Sequence, residues 1–99
     1  MDITSKKNNN SLRVSLSGRL DTITAPTLDE YLKNNLDGET QLTFDLKDLD
    51  YVSSAGLRVF LSYHKKMAER GSMEIENVNE IIMEIFDITG FTEILDIRA

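Results

Sequence analysis

The chain has 99 residues, 40% hydrophobic and 28% charged, which suits one globular domain with a modest core and is too short for two. A net charge of -6 with no basic stripe argues against a nucleic-acid partner. With no cysteine there is no disulfide, thiolate or Cys-metal chemistry, and one histidine cannot build a His-rich metal site.

In chain order, Ile3 opens a weak edge strand and Lys6-Lys7-Asn8-Asn9-Asn10 reads as the turn after it, so residues 1–10 are expected to be weakly structured. Leu12, Val14 and Leu16 alternate with Arg13, Ser15 and Ser17, a strand with one buried face. Residues 18–24 are predicted as loop. Pro26 lies just inside the next helix, where its missing N–H is harmless, and Leu28, Leu32 and Leu36 form its apolar stripe. Asp37-Gly38 predicts the helix end, with glycine in a left-handed cap.

The period-two set Leu42, Phe44 and Leu46 marks a strand over 41–46, followed by a short acidic loop with Asp48 and Asp50. From Ser54 to about residue 69 the period becomes helical: Leu57, Phe60, Leu61, His64, Met67 and Ala68 share one face. Gly71 is read as its stop. Met73 and Ile75 mark another strand. Asn79 is a candidate N-cap for a helix with Ile82, Ile85 and Phe86 inward and Gly90 as its stop, and 93–97 is a closing strand. No apolar run nears the roughly 18–20 residues that span a bilayer, and residues 1–7 lack the apolar region of a signal peptide. The expectation is a cytoplasmic domain with no membrane insertion. Strands alternating with helices favour parallel neighbours and right-handed crossovers.

The serines carry the chemistry. Ser53 and Ser54 stand where a strand gives way to a helix, beside unpaired N–H groups and the positive end of the helix dipole, a place that tolerates a phosphate. By spacing alone Ser54 is equally an N-cap. Gly56, in the first helical turn, is read either as a point of close partner approach or as tight helix-on-sheet packing. Asp21 is a loop or capping residue, Arg58 an exposed arginine or a rim contact, and His64 a partly buried, hydrogen-bonded residue. There is no Gly-x-Ser-x-Gly elbow, phosphate-binding glycine loop or triad, so the chain does not read as an enzyme, and no cofactor or metal is expected.

Three segments in order carry a family resemblance. They are Leu16-Ser17-Gly18-Arg19-Leu20-Asp21, then Asp45-Leu46-Lys47-Asp48-Leu49-Asp50-Tyr51-Val52-Ser53-Ser54-Ala55-Gly56-Leu57, then Ile88-Thr89-Gly90-Phe91-Thr92-Glu93-Ile94-Leu95. Together they resemble STAS domains, and within them the bacterial anti-sigma factor antagonists. The resemblance implies an α/β fold in a single STAS-like domain over 1–99, a mixed, mostly parallel sheet packed against about three α-helices. It also implies a binding module that holds a kinase-type anti-sigma factor while unphosphorylated, so freeing a sigma factor. That partner's serine kinase activity would switch it off, and a phosphoserine phosphatase would reset it. Matched position by position, the acceptor is Ser54, with Ser53 the second choice, and the partner surface comprises Asp21, Asp50, Ser53, Ser54, Gly56 and Arg58. Ser53 stands where many members carry Asp, and the sequence reaches Ala99 without the C-terminal helix many carry. The alternative is a constitutive accessory subunit, similar to the STAS partners of lipid-transport ATPases. The charged faces suggest a monomer without a large exposed apolar patch.

Overall fold

The computed structural model describes residues 1–98. Its elements are β1 (Asp2–Asn8), β2 (Ser11–Leu20), α1 (Ala25–Asn35), β3 (Gln41–Val52), α2 (Ser54–Ala68), β4 (Ser72–Glu76), α3 (Glu80–Thr89), a 3-10 turn (Phe91–Glu93) and β5 (Asp96–Ile97). The sheet order is β1-β2-β3-β4-β5, with β1 antiparallel to β2 and every other pair parallel. This is the mixed, mostly parallel sheet with three helices that the sequence predicts.

The strands differ from expectation in three places. First, β1 is a full strand in register from Asp2↔Ser17 to Asn8↔Ser11, leaving only Asn9 and Asn10 as the turn. Its second half has no apolar face to betray it; Lys7 reaches Asp37 and Glu39 at 3.0 and 3.4 Å, the kind of charged edge that discourages stray strand pairing. Second, the acidic loop of 47–50 is a continuation of β3. Ser17↔Asp48, Gly18↔Leu49 and Arg19↔Tyr51 remain paired across two register shifts, so β-bulges carry the strand on where alternation breaks. Third, the closing segment is a 3-10 turn and a two-residue strand.

The core is one cluster. Leu12, Val14 and Leu16 of β2 and Leu42, Phe44 and Leu46 of β3 meet Leu28 and Leu32 of α1, Phe60 and Met67 of α2, and Ile82 and Phe86 of α3. Phe60 packs edge-on against Phe44 at 5.1 Å and Phe86 at 6.2 Å, fastening two helices to the central strand. The other sheet face is polar, with Arg13 bridging Glu76 at 2.6 Å and Asp45 at 3.2 Å. α1 does not end in a left-handed Gly38: its C-cap is Leu36 in extended conformation, and the left-handed cap occurs at Gly90, φ 80°. α3 also departs from its predicted burial. Ile85 is only half-buried, and Ile81 and Ile88 are exposed. No described helix is long and apolar enough to cross a membrane.

Candidate functional site

The site lies where β2 and β3 end and α1 and α2 begin. Leu20 pairs with Val52, and the Ser53 N–H donates to the Leu20 carbonyl at 2.9 Å, so the residues following each strand become neighbours. Those residues are Asp21 and Ser53-Ser54. The β2 end is shaped by Gly18 at φ 87°, a conformation costly for residues with a Cβ, which accounts for the glycine in the Gly-x-Leu-Asp segment.

Asp21 is committed to its own loop. Its Oδ1 accepts from the N–H groups of Ile23 and Thr24 at 3.0 and 3.1 Å. Thr24 Oγ1 in return accepts the Asp21 N–H at 2.8 Å, a reciprocal cap at the start of α1. The Thr24 N–H, then the Ile23 N–H, and finally nearby Arg19 hold the Asp21 carboxyl below its usual range. Asp21 is therefore a capping residue that also sets a negative charge at the site edge.

The β3 bulges require their own partners. Asp45 Oδ1 accepts the Lys47 N–H at 3.1 Å, while the Asn79 amide donates to the Leu49 carbonyl at 2.8 Å and lies 3.4 Å from those of Leu46 and Lys47. The Asn79 Oδ1 meanwhile caps α3 by accepting the Ile82 N–H at 3.0 Å. One side chain thus ties α3 to the irregular strand that delivers the serines. The motif reading missed this role because Asn79 is 25 positions from Ser54 and reads locally as a cap only. Asp50 has no pairing partner between Leu49 and Tyr51 and is exposed. Arg19 stacks over the Tyr51 ring at 4.4 Å beside it.

Ser54 is the first residue of α2 and is exposed; the first turn holds no acidic residue. Arg58, four residues on, shares its face and is exposed. Of the two readings of Gly56, tight helix-on-sheet packing is the one its surroundings support: it is buried, and a Cβ there would meet Leu20 Cγ at 2.6 Å and its carbonyl oxygen at 3.1 Å. Its glycine lets α2 pack directly on the end of β2. Ser53 occupies the N-cap position without capping, and its Oγ is buried with no hydrogen-bond partner. His64 Nδ1 is likewise buried and unpartnered, so the expected hydrogen bond is not made there. Sequence reading also passed over Ile23, 84% exposed beside Asp21; an isoleucine between two threonines in a loop is the signal that marked it.

Among the described residues no group of three His, Cys, Asp or Glu is placed to hold a metal. A groove of about 500 Å³ lies at the other ends of α1 and α2, lined by Leu32, Leu36, Tyr63 and Lys66 among others. The site itself is an edge carrying Asp21 and Asp50 with an exposed Ser54 hydroxyl, suited to contact with another protein.

The model of the STAS domain family matches residues 2–99. The chain belongs to that family. An anti-sigma-B factor antagonist of Bacillus subtilis is 38% identical to this STAS domain over 95 residues, covering 95% of this chain and 87% of the relative. An anti-sigma factor antagonist from Mycobacterium paratuberculosis superposes with TM-score 0.87 at 19% identity, over 98% of this chain and 84% of that one. The Bacillus cell fate determinant SpoIIAA superposes in its unphosphorylated form with TM-score 0.82 (99% and 89% covered) and in its phosphorylated form with 0.74 (99% and 92%), both at 14% identity. At such identities the solved structures establish the fold alone.

Two measurements test these assignments in this STAS domain. Replacing an N-cap serine by alanine typically costs about 1 kcal/mol. Because Ser53 makes no cap bond, Ser53→Ala is expected to be neutral or slightly stabilising in urea denaturation. A loss near the typical value would mean that the hydroxyl caps α2 in solution.

The second measurement is acid titration of stability. Burial pushes the Asp45 carboxyl up, but the Lys47 N–H, Asn77 and Arg13 outweigh it, and the net displacement is downward. Glu39 is also lowered, chiefly by the Asp37 N–H. With Asp21, three carboxylates then bind protons less readily folded than unfolded. Their stabilisation is complete above the ordinary carboxylate range and is lost as pH falls through the lower folded values. The urea midpoint should hold steady from pH 7 to about 5 and drop below it, and Asp45→Asn should lower it at pH 7 while flattening the acid drop. A midpoint rising steadily into acid would contradict this.

Proposed function

We propose that this STAS domain is an anti-sigma factor antagonist. In its unmodified form it binds a kinase-type anti-sigma factor through the edge formed by Asp21, Asp50, Ser54 and Arg58, which releases a sigma factor. Phosphorylation of Ser54 by that partner ends the interaction, and a phosphatase restores it. The chain acts by binding and carries out no catalysis of its own.

The observation that carries this reading is the exposed Ser54 at an α2 N-terminus without acidic residues, beside Asp21 through the Ser53–Leu20 backbone bond. The likeness to a Bacillus subtilis anti-sigma-B factor antagonist over nearly the whole chain supports it, as does the shared fold with SpoIIAA, a protein known in phosphorylated and unphosphorylated forms. The buried, unpartnered Ser53 hydroxyl favours Ser54 as the acceptor, since a kinase must reach the oxygen.

The test is a paired pull-down from lysate of the source organism with wild-type and Ser54→Asp baits. Capture of a kinase-like anti-sigma factor by the wild type alone supports both partner and switch. Equal retention of one partner by both baits sinks the switch and favours a constitutive accessory subunit.

A further inference from the structure

The outward side of α3 is more apolar than its packing requires. Ile82 and Phe86 supply its core contacts, yet Ile81 and Ile88 are 60% and 78% exposed. Half-buried Ile85 lies between them. At 3.6 residues per turn these three isoleucines fall within about 60° of arc and extend about 10 Å along the helix, so they form one stripe. Exposed Glu80, Glu84 and Asp87 lie together on one flank of it. None of the three forms an ion pair among the described residues, and α3 contains no basic residue.

We propose that this face of α3 is a second docking surface, and that its occupant is a basic amphipathic helix of a partner protein. A contiguous apolar stripe marks an interaction site more readily than scattered exposed side chains do. The one-sided acidic flank selects the occupant. An antiparallel isologous pairing of two copies would set acidic flank against acidic flank, and a parallel one would leave both flanks without a basic counterpart, since α3 has none to offer. An anionic membrane would be repelled by the same charges. A helix with apolar anchors at i, i+4 and i+7 and Lys or Arg along a single side satisfies both features at once. The surface belongs to α3 and does not depend on the state of Ser54.

The test uses the whole domain and a synthetic amphipathic helical peptide carrying Leu at those spacings and Lys along one flank. A control peptide keeps the Lys residues and replaces Leu with Ser. Binding is read by fluorescence polarisation and by methyl NMR of the isoleucines. The expected result is chemical-shift change centred on Ile81, Ile85 and Ile88. Affinity should fall at least about tenfold for the Ile81→Ser/Ile88→Ser protein and for Glu84→Lys/Asp87→Lys. Ser54→Asp should bind as the wild type does, which separates this surface from the proposed switch. Melting curves of the variants distinguish lost binding from lost fold, and exposed positions of this kind should leave the melt nearly unchanged. Equal binding of the control peptide, undisturbed α3 methyl groups, or full affinity in the charge-reversed variant would each overturn the proposal. So would self-association abolished by Ile81→Ser/Ile88→Ser, or wild-type binding to phosphatidylglycerol vesicles, because each assigns the stripe another occupant.

Discussion

Ser54→Asp is expected to weaken binding to the anti-sigma factor partner proposed above by about 100-fold or more, roughly 3 kcal/mol from setting a new charge against a docked surface. The domain itself should lose nothing. The substituted side chain sits on the first residue of α2, where the first turn has no acidic residue to oppose the helix dipole. An added carboxylate there stabilises a helix by about 0.3–1 kcal/mol, and Arg58 one turn on offers a favourable i, i+4 partner. Asp21 and Asp50 act in the opposite direction on any incoming protein: both already carry negative charge at this edge, and a further charge raises the cost of desolvating it. A phosphate, at about -1.5 to -2 charge, should have the larger effect of the same sign. Calorimetric titration for affinity and circular dichroism melting for stability separate the two consequences. A melting temperature many degrees below wild type would mean that the switch refolds the domain and does not simply block its surface.

The parts of this protein that were legible from sequence are those in which one force acts alone. Alternation in β2, the helical stripe of α2 and the Asn79 cap each follow from local spacing and reappear in the structure. β1 was underestimated because Lys6, Lys7 and Asn8 have little strand propensity; cross-strand pairing with β2 holds them, which no local pattern records. The extension of β3 was missed for a related reason. Two bulges break its alternation, and the carbonyl oxygens left over are met by Asn79 from another element. At the site, the neighbourhood of Asp21 and Ser54 was anticipated from the family resemblance, while the burial of Gly56 beneath Leu20 depends on how closely a helix approaches a strand end. Ser53 is the sharpest case. Spacing gives the N-cap to Ser54, whereas the structure puts Ser53 in that position and its side chain makes no cap bond.

Gly71 completes that lesson with the largest expected loss of stability. It reads as a helix stop, which would call for a left-handed backbone, yet the positive-φ glycines are Gly18 and Gly90. The requirement is space. A Cβ at position 71 would lie 1.7 Å from the Thr40 carbonyl oxygen and 2.6 Å from its carbon. Thr40 cannot yield, because its N–H donates to Asn10 at 2.8 Å and its carbonyl accepts the Ser72 N–H at 2.9 Å, the bonds that start β3 and β4 in register. The incoming methyl would have to displace backbone held from both sides, on a residue that is itself exposed and unremarkable by burial. Gly71→Ala is therefore expected to cost about 3 kcal/mol or more, at the upper end of overpacking penalties. For a domain of this size that lowers the melting temperature by about 12–24 °C. Gly38→Ala provides the internal comparison: nothing lies within 4 Å of its added Cβ and its φ is not left-handed. That substitution should be neutral or gain up to about 1 kcal/mol through the unfolded chain. If the two alanine variants melt together, close approach to Thr40 is not what fixes the junction between α2 and β4.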